Sequence, residues 1–199
     1  MRKSTHQPVA HVGCLHGYDL SRRGFIGGVA AVAIGTTAGC LGDDEDESPP
    51  EPIGLTEGQT CEVCGMEIAA HHGPAVQAFY EDSPIDGDGP AAFDSVHEFV
   101  SFDVEQRTRG NDRVAAFATD YASVEYDLIE QNDSTYISTH VAAEDFTPVE
   151  DLHYVVESTV LGAMGKDAYP FSNEDEALEL VETYGGSVVE WTTIAEMFD

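Results

Sequence analysis

The sequence predicts an α+β fold, with two ββαβ modules packed as one compact domain behind a signal peptide and an acidic linker. Three observations predict it. A strand-like run, a polar turn, a short strand, a capped helical segment and a closing strand occur in that order, and the order then repeats. The helix caps at Ser95 and Ser172 keep a roughly constant offset between the copies. Ahead of both copies lies an uncharged apolar run ending in cysteine, followed by a stretch too acidic and proline-rich to pack.

In the first module, residues 75–80 read as a strand, a Gly/Asp/Pro turn runs to Pro90, and 91–93 form a short strand. The helix opens at Ser95-Val96-His97-Glu98, the spacing of a capping box. Val96, Phe99, Val100 and Val104 make its apolar face, Gly110-Asn111 closes it, and 114–118 return as a strand. In the second module, 153–160 are a strand, 162–167 a turn and 168–171 a second strand. The helix capped by Ser172-Asn173-Glu174-Asp175 buries Leu178, Val181 and Tyr184, stops at Gly185-Gly186, and leads into a strand over 187–192. The modules cover 59–120 and 135–199. Residues 120–147 between them supply further strands and loops, with a strand expected over 134–141.

The first forty residues report a destination. Ser21-Arg22-Arg23-Gly24-Phe25 is a twin-arginine signal core, and Arg22 and Arg23 lead into an uncharged stretch over 24–39. That stretch is shorter than the roughly 18 to 20 apolar residues that span a bilayer, so it reads as a signal segment. Thr37-Ala38-Gly39-Cys40 fits a lipobox. Cleavage then leaves 1–39 as the signal peptide, Cys40 as the lipidated first residue, 40–58 as a flexible acidic tether and 59–199 as the folded domain. The expected location follows: export by the twin-arginine route, with a lipid anchor on the outer face of the cytoplasmic membrane.

Charge excludes one class of partner. The chain carries 38 Asp and Glu against 8 Lys and Arg, a net charge of −30. Arg2, Lys3, Arg22 and Arg23 depart with the signal, leaving Arg107, Arg109, Arg113 and Lys166, too few to build a patch for a phosphate backbone. No nucleic acid is expected. Such a surface is that of a halophilic organism, an archaeon in this reading, whose proteins keep hydrated carboxylates in strong salt.

Cys14 leaves with the signal and Cys40 is acylated, so the mature chain keeps Cys61 and Cys64. Two thiols so spaced serve as a metal site, a redox dithiol or an inert disulfide. A tetrahedral zinc site wants four ligands and finds one pair, although His71 and His72 could complete it. A thioredoxin-like pair sits at a helix N-terminus, whereas here Gly65-Met66 follows without a helical pattern. The thioether of Met66 tips the preference, because Met suits soft Cu(I) and binds zinc poorly. Thiolate and thioether on a flexible surface loop point to Cu(I).

Of the remaining methionines, Met197 reads as core in the last apolar turn, and Met164 lies in a Gly-flanked loop of the second module. Met164 is therefore a candidate ligand from the opposite half. His71, His72 and His97 read as surface residues. His140 and His153 read as strand histidines able at most to assist.

Cys61-x-x-Cys64-Gly65-Met66, Phe93-Asp94, Asp120-Tyr121, Tyr154-Val155-Val156, Met164-Gly165, Pro170-Phe171-Ser172 and Tyr184-Gly185-Gly186 fall in an order that resembles the NosL-like proteins. These are Cu(I)-binding lipoproteins associated with maturation of nitrous oxide reductase. The resemblance runs from about Cys61 to Trp191. It departs at Ser95, where family members often carry a second aspartate after Phe-Asp. It implies a metallochaperone rather than an enzyme, with Cys64, Met66, Met164 and the further candidate Cys61 as ligands. The implied partner is a copper-accepting protein or membrane assembly complex. Two other classes stay open: a thiol-based oxidoreductase or carbon–metal lyase using the Cys pair with Asp94 as acid, and a zinc-binding structural lipoprotein.

Overall fold

The computed structural model describes residues 49–55, 57–85 and 89–197. The signal segment with Arg22 and Arg23, the lipidation site Cys40 and the acidic run after it lie outside the described residues.

Burial of small side chains sets the first layer. β1 (Val76–Tyr80), β2 (Ala91–Phe93) and β3 (Arg113–Thr119) carry Ala78, Ala91, Ala92, Ala116 and Ala118, all buried, which lets α1 (Val96–Thr108) seat closely on the sheet. After β3 come β4 (Leu128–Gln131), β5 (Ser134–Ile137) and β6 (Phe146–Pro148). The second module is built from β7 (His153–Val156), β8 (Val160–Leu161), β9 (Tyr169–Phe171), α2 (Glu174–Tyr184), β10 (Ser187–Glu190) and α3 (Trp191–Met197).

The repeat holds at the level of topology. The first sheet has the order β2-β1-β3-β6 and the second β10-β7-β9. In each module the opening strand lies between the strand that precedes the helix and the strand that follows it, β1 between β2 and β3 and β7 between β9 and β10, with these pairings antiparallel. A third sheet, β4-β5-β8, uses a short parallel pairing of β5 with β8.

One core runs through both modules. Phe93, Phe99 and Val100 share a cluster with Tyr154, Ala168 and Ile194. A second cluster gathers Tyr121, Ile137, Tyr169, Phe171, Ala177 and Leu180. Trp191 stacks on Phe99 with ring centroids 5.9 Å apart. The Arg113 guanidinium lies 5.5 Å from the Phe99 ring and 5.3 Å from the Trp191 ring, while its Nη2 stands 3.0 Å from Glu150 Oε1.

Several local expectations shift. The fully buried amide of Gln77 donates to Ile53 O (2.8 Å) and accepts from Ile53 N (2.9 Å). Leu55 is also buried, so the chain joins the folded body ahead of residue 58, where the tether was expected to end. The strand expected over 134–141 stops at Ile137 and that over 153–160 is interrupted after Val156, while the one expected over 187–192 turns into α3 at Trp191. The α2 cap is Asn173, whose side chain accepts from Asp175 N. Its buried face is Ala177 and Leu180, with Val181 and Tyr184 beside them, and Leu178 points out, because one residue of phase rotates a helical face by about 100°. Met197 is exposed and Ile194 takes the core place expected of it. No helix among the described residues is long and apolar enough to cross a membrane.

Candidate metal centre

The cysteine loop is closed by its own backbone. Cys61 N donates to Met66 O (2.8 Å), Gly65 N to Cys61 O (2.9 Å), and Thr60 bridges Glu67 at its base. Gly65 has φ of 72°, a left-handed turn that glycine adopts without the Cβ penalty. Glu62 N donates to Ala92 O (3.0 Å), which fastens the loop to β2. Since β2 runs into Asp94 and the Ser95 cap of α1, this bond brings the thiols to the start of the helix.

Four side chains converge there. The ligating atoms of Cys61, Cys64, Asp94 and Glu98 all lie within 4.8 Å of one another. The Cys61 thiol donates to Glu98 Oε2 at 2.8 Å, and the Cys64 thiol faces Asp94 Oδ2 at 3.4 Å and Oδ1 at 3.6 Å. Cys61, Asp94 and Glu98 are buried and Cys64 is half-buried. The loop lies at the surface, with Glu62, Val63 and Gly65 exposed, but it is anchored rather than flexible, because Cys61 joins the core cluster and backbone bonds close the turn. Both thiols are free.

Burial pushes the Cys61 thiol well above its ordinary range, with the Glu98 bond adding to the rise and the Cys64 amide opposing it. Burial and the Asp94 charge likewise raise Cys64, and burial followed by the Asp94 contact raises Glu98. All three shifts disfavour added negative charge, so the proton is held where a cation would be stabilised.

Glu98 is used differently from the expected capping box. Ser95 Oγ accepts from Glu98 N at 3.0 Å as a capping box requires, but the Glu98 carboxylate turns to Cys61. Asp94 and Glu98 were not among the ligand candidates. A capping residue three after serine carried a sufficient local explanation, and nothing in the spacing from Cys61 signals the contact.

Met66 is half-buried on the cysteine loop itself. Met164 is 53% exposed on a separate loop between β8 and β9, closed by a Gly162 N to Gly165 O bond of 2.7 Å. The base of that loop touches the chain after the cysteine loop and the first turn of α1. Gly162 lies against Gly73, downstream of the cysteine loop, so closely that a Cβ on Gly73 would stand 2.9 Å from Gly162 Cα. Asp167 accepts from Val96 N (3.3 Å) and His97 N (3.2 Å) in the first turn of α1.

The cluster of four contains no histidine. His71 and Thr139 are joined through the His71 carbonyl, and the His72 ring lies 5.1 Å from Tyr136. His97 lines a cavity of about 140 Å³ together with Asp167. His140 follows β5 and bonds Ser138 Oγ at 3.0 Å, and His153 Nδ1 stands 3.1 Å from Glu190 Oε1.

Known proteins agree with this architecture. The chain is 27% identical over 173 residues to the copper-binding lipoprotein NosL of Achromobacter cycloclastes, covering 84% of this chain and 79% of the relative. It is 26% identical over 163 residues to the protein of the same name from Stutzerimonas stutzeri, covering 82% and 75%. The crystal structure of the copper chaperone NosL from Shewanella denitrificans superposes with a TM-score of 0.58 at 20% identity, over 75% of this chain and 99% of that one, and shares its fold. The NosL family model matches residues 52–198. With nearly the whole described chain inside that match, the protein belongs to the NosL family.

Proposed function

We propose that this chain is an extracytoplasmic metallochaperone that binds Cu(I) and passes it to a copper-accepting protein. The observation that carries the reading is the convergence of Cys61 and Cys64 in a loop closed by backbone bonds, with Met66 on the same loop. The names of the curated relatives, copper-binding lipoproteins, support the choice of metal. Cu(I) is the cargo. Cys61, Cys64 and Met66 hold it from one side and Met164 from the other.

Loading exchanges protons for metal. Each thiol that becomes a ligand gives up its proton, and the S–H bonds to Glu98 and Asp94 are lost in favour of Cu–S bonds. The converging thiols need no large rearrangement to face one ion, which lowers the ordering cost of binding. Release is ligand exchange. An exposed Met164 is the ligand an incoming thiolate, thioether or imidazole can displace first, and no chemical bond of a substrate is made or broken.

The acceptor in this reading is a copper enzyme such as nitrous oxide reductase, or the membrane complex that assembles it. Export through Arg22 and Arg23 and a lipid on Cys40 would hold the donor on the outer face of the cytoplasmic membrane, beside such machinery.

Anaerobic titration of the reduced full chain with Cu(I) against a competing chelator tests the reading. One tightly bound ion per chain, weakened in Cys61→Ser, Cys64→Ser, Met66→Leu and Met164→Leu, supports it; unchanged affinity in both cysteine variants overturns it. A thiol enzyme remains the second reading, because Asp94 stands 3.4 Å from Cys64 where an acid would be needed. Turnover of a thiol or organometallic substrate that survives Met66→Leu and Met164→Leu would identify it.

A further inference from the structure

Helix α1 is capped by two residues that belong to different modules. Ser95, its own N-cap, accepts from Glu98 N at 3.0 Å. The amides of Val96 and His97 precede the first intrahelical donors and need a partner from elsewhere. They donate to Asp167 Oδ2 at 3.3 Å and Oδ1 at 3.2 Å, across some seventy residues of sequence. Asp167 also accepts from its neighbour Ala168 N at 2.8 Å, so both oxygens are engaged and the carboxylate has one orientation.

Asp167 closes the loop that carries Met164. On the other side of that loop, Gly162 rests on Gly73 with backbone against backbone. Gly73 N in turn donates to Ile137 O at 2.8 Å. The loop is thus gripped at both ends. One grip is the helix start that bears Asp94 and Glu98, and the other is the chain leaving the cysteine loop. The exposed Met164 is the tip between them.

We infer that Asp167 is a positioning residue for the metal centre: by clasping the first turn of α1 it sets the Met164 loop at a fixed distance from the cysteine loop. The inference rests on the reading of Met164 as a Cu(I) ligand. A helix cap that served stability alone needs no partner from the other module, since a side chain next to Ser95 would satisfy the same amides at a smaller entropic cost. Capping from Asp167 ties two loops together, and a shared ligand set requires that tie. Loss of an outer residue that orients a ligand typically weakens metal binding about ten- to a hundredfold.

The test is a double-mutant cycle in Cu(I) affinity, measured on the reduced full chain by chelator competition. Asp167→Ala is expected to weaken binding about tenfold when Met164 is present and to add nothing in a Met164→Leu background. Asp167→Asn, which keeps one acceptor oxygen, is expected to recover part of the loss. If Asp167→Ala does not fold, Asp167→Asn is read in both backgrounds, with a loss of a few-fold expected only when Met164 is present. An equal loss in the two backgrounds, or no loss in either, overturns the positioning role while leaving Met164 as a ligand. Unchanged affinity in Met164→Leu alone removes Met164 from the site and the clasp argument with it.

Discussion

Cys61 Sγ lies 2.8 Å from Glu98 Oε2, so a buried thiol donates to a buried carboxyl group at the opening of α1. The contact joins the cysteine loop to the helix and decides how the two groups titrate.

Copper loading should strengthen with pH. Burial holds Cys61 and Cys64 protonated beyond their ordinary range, so at neutral pH each thiol that binds must release a proton. The logarithm of the Cu(I) association constant is expected to rise by about one per pH unit for each thiol displaced. Chelator competition between pH 6 and 8 measures the slope, and a flat profile would show that neither thiol is a ligand.

Glu98 variants should separate charge from hydrogen bonding. Burial raises the Glu98 carboxyl, so its ionised form is disfavoured in the fold. Glu98→Gln keeps an acceptor for the Cys61 thiol without the charge and is expected to match or exceed the parent in stability at neutral pH. Glu98→Ala leaves that thiol unpaired and should cost about 1–3 kcal/mol in denaturant unfolding.

Asp167 should make the apo protein less stable toward neutral pH. Burial, opposed by the amides of Ala168, His97 and Val96, raises its carboxyl from 3.8 to about 7. Between those values the folded chain holds a proton that the unfolded chain has lost. The stabilisation is complete below the unfolded value and disappears as pH rises through the folded one. Thermal unfolding at a series of pH values should show this decline in the parent and a shallower one in Asp167→Asn. Parallel curves would mean that Asp167 titrates in its ordinary range.

Gly73→Ala should be costly for steric reasons. Gly73 has φ of 102°, and a Cβ there would meet Gly162 Cα at 2.9 Å. Left-handed backbone strain and overpacking together are expected to remove about 2–4 kcal/mol of stability. Equilibrium unfolding reads the loss. A variant as stable as the parent would show that the two loops do not rest on each other.

Arg113→Lys should loosen the contact between modules although charge is kept. The guanidinium sits beside the stacked pair of Phe99 from the first module and Trp191 from the second, 5.5 and 5.3 Å from their rings, while reaching Glu150. An ammonium cannot lie along two rings and hold a carboxylate with a planar fork, and a loss of about 1–2 kcal/mol is expected. Near-ultraviolet circular dichroism of Trp191 should change in step with the loss. No change in either would make the contact with the two rings incidental.

Local patterns determined much of this protein. The strand at 91–93, the Ser95 cap, the Val96-Phe99-Val100 face and the glycine stop at Gly185 are set by neighbours within one turn of chain, so periodicity and capping chemistry suffice to read them. The Cys61-x-x-Cys64-Gly65-Met66 run is local in the same sense, and its soft ligands mark a candidate metal-binding loop without any fold.

Tertiary structure decided what surrounds that loop. Glu98 looks in sequence like half of a capping box, and only the bond from Glu62 to Ala92 brings Cys61 within its reach. Asp94 meets Cys64 for the same reason. Asp167 gives no local hint that it caps a helix in the other module. Leu178 lies outside the core because a helical face is fixed by what it packs against, and a small change of phase carries a side chain from the buried face to solvent. Contacts between residues adjacent in the chain are written in the order of side chains, whereas contacts across thirty or seventy residues exist only once the sheets have brought distant backbone together.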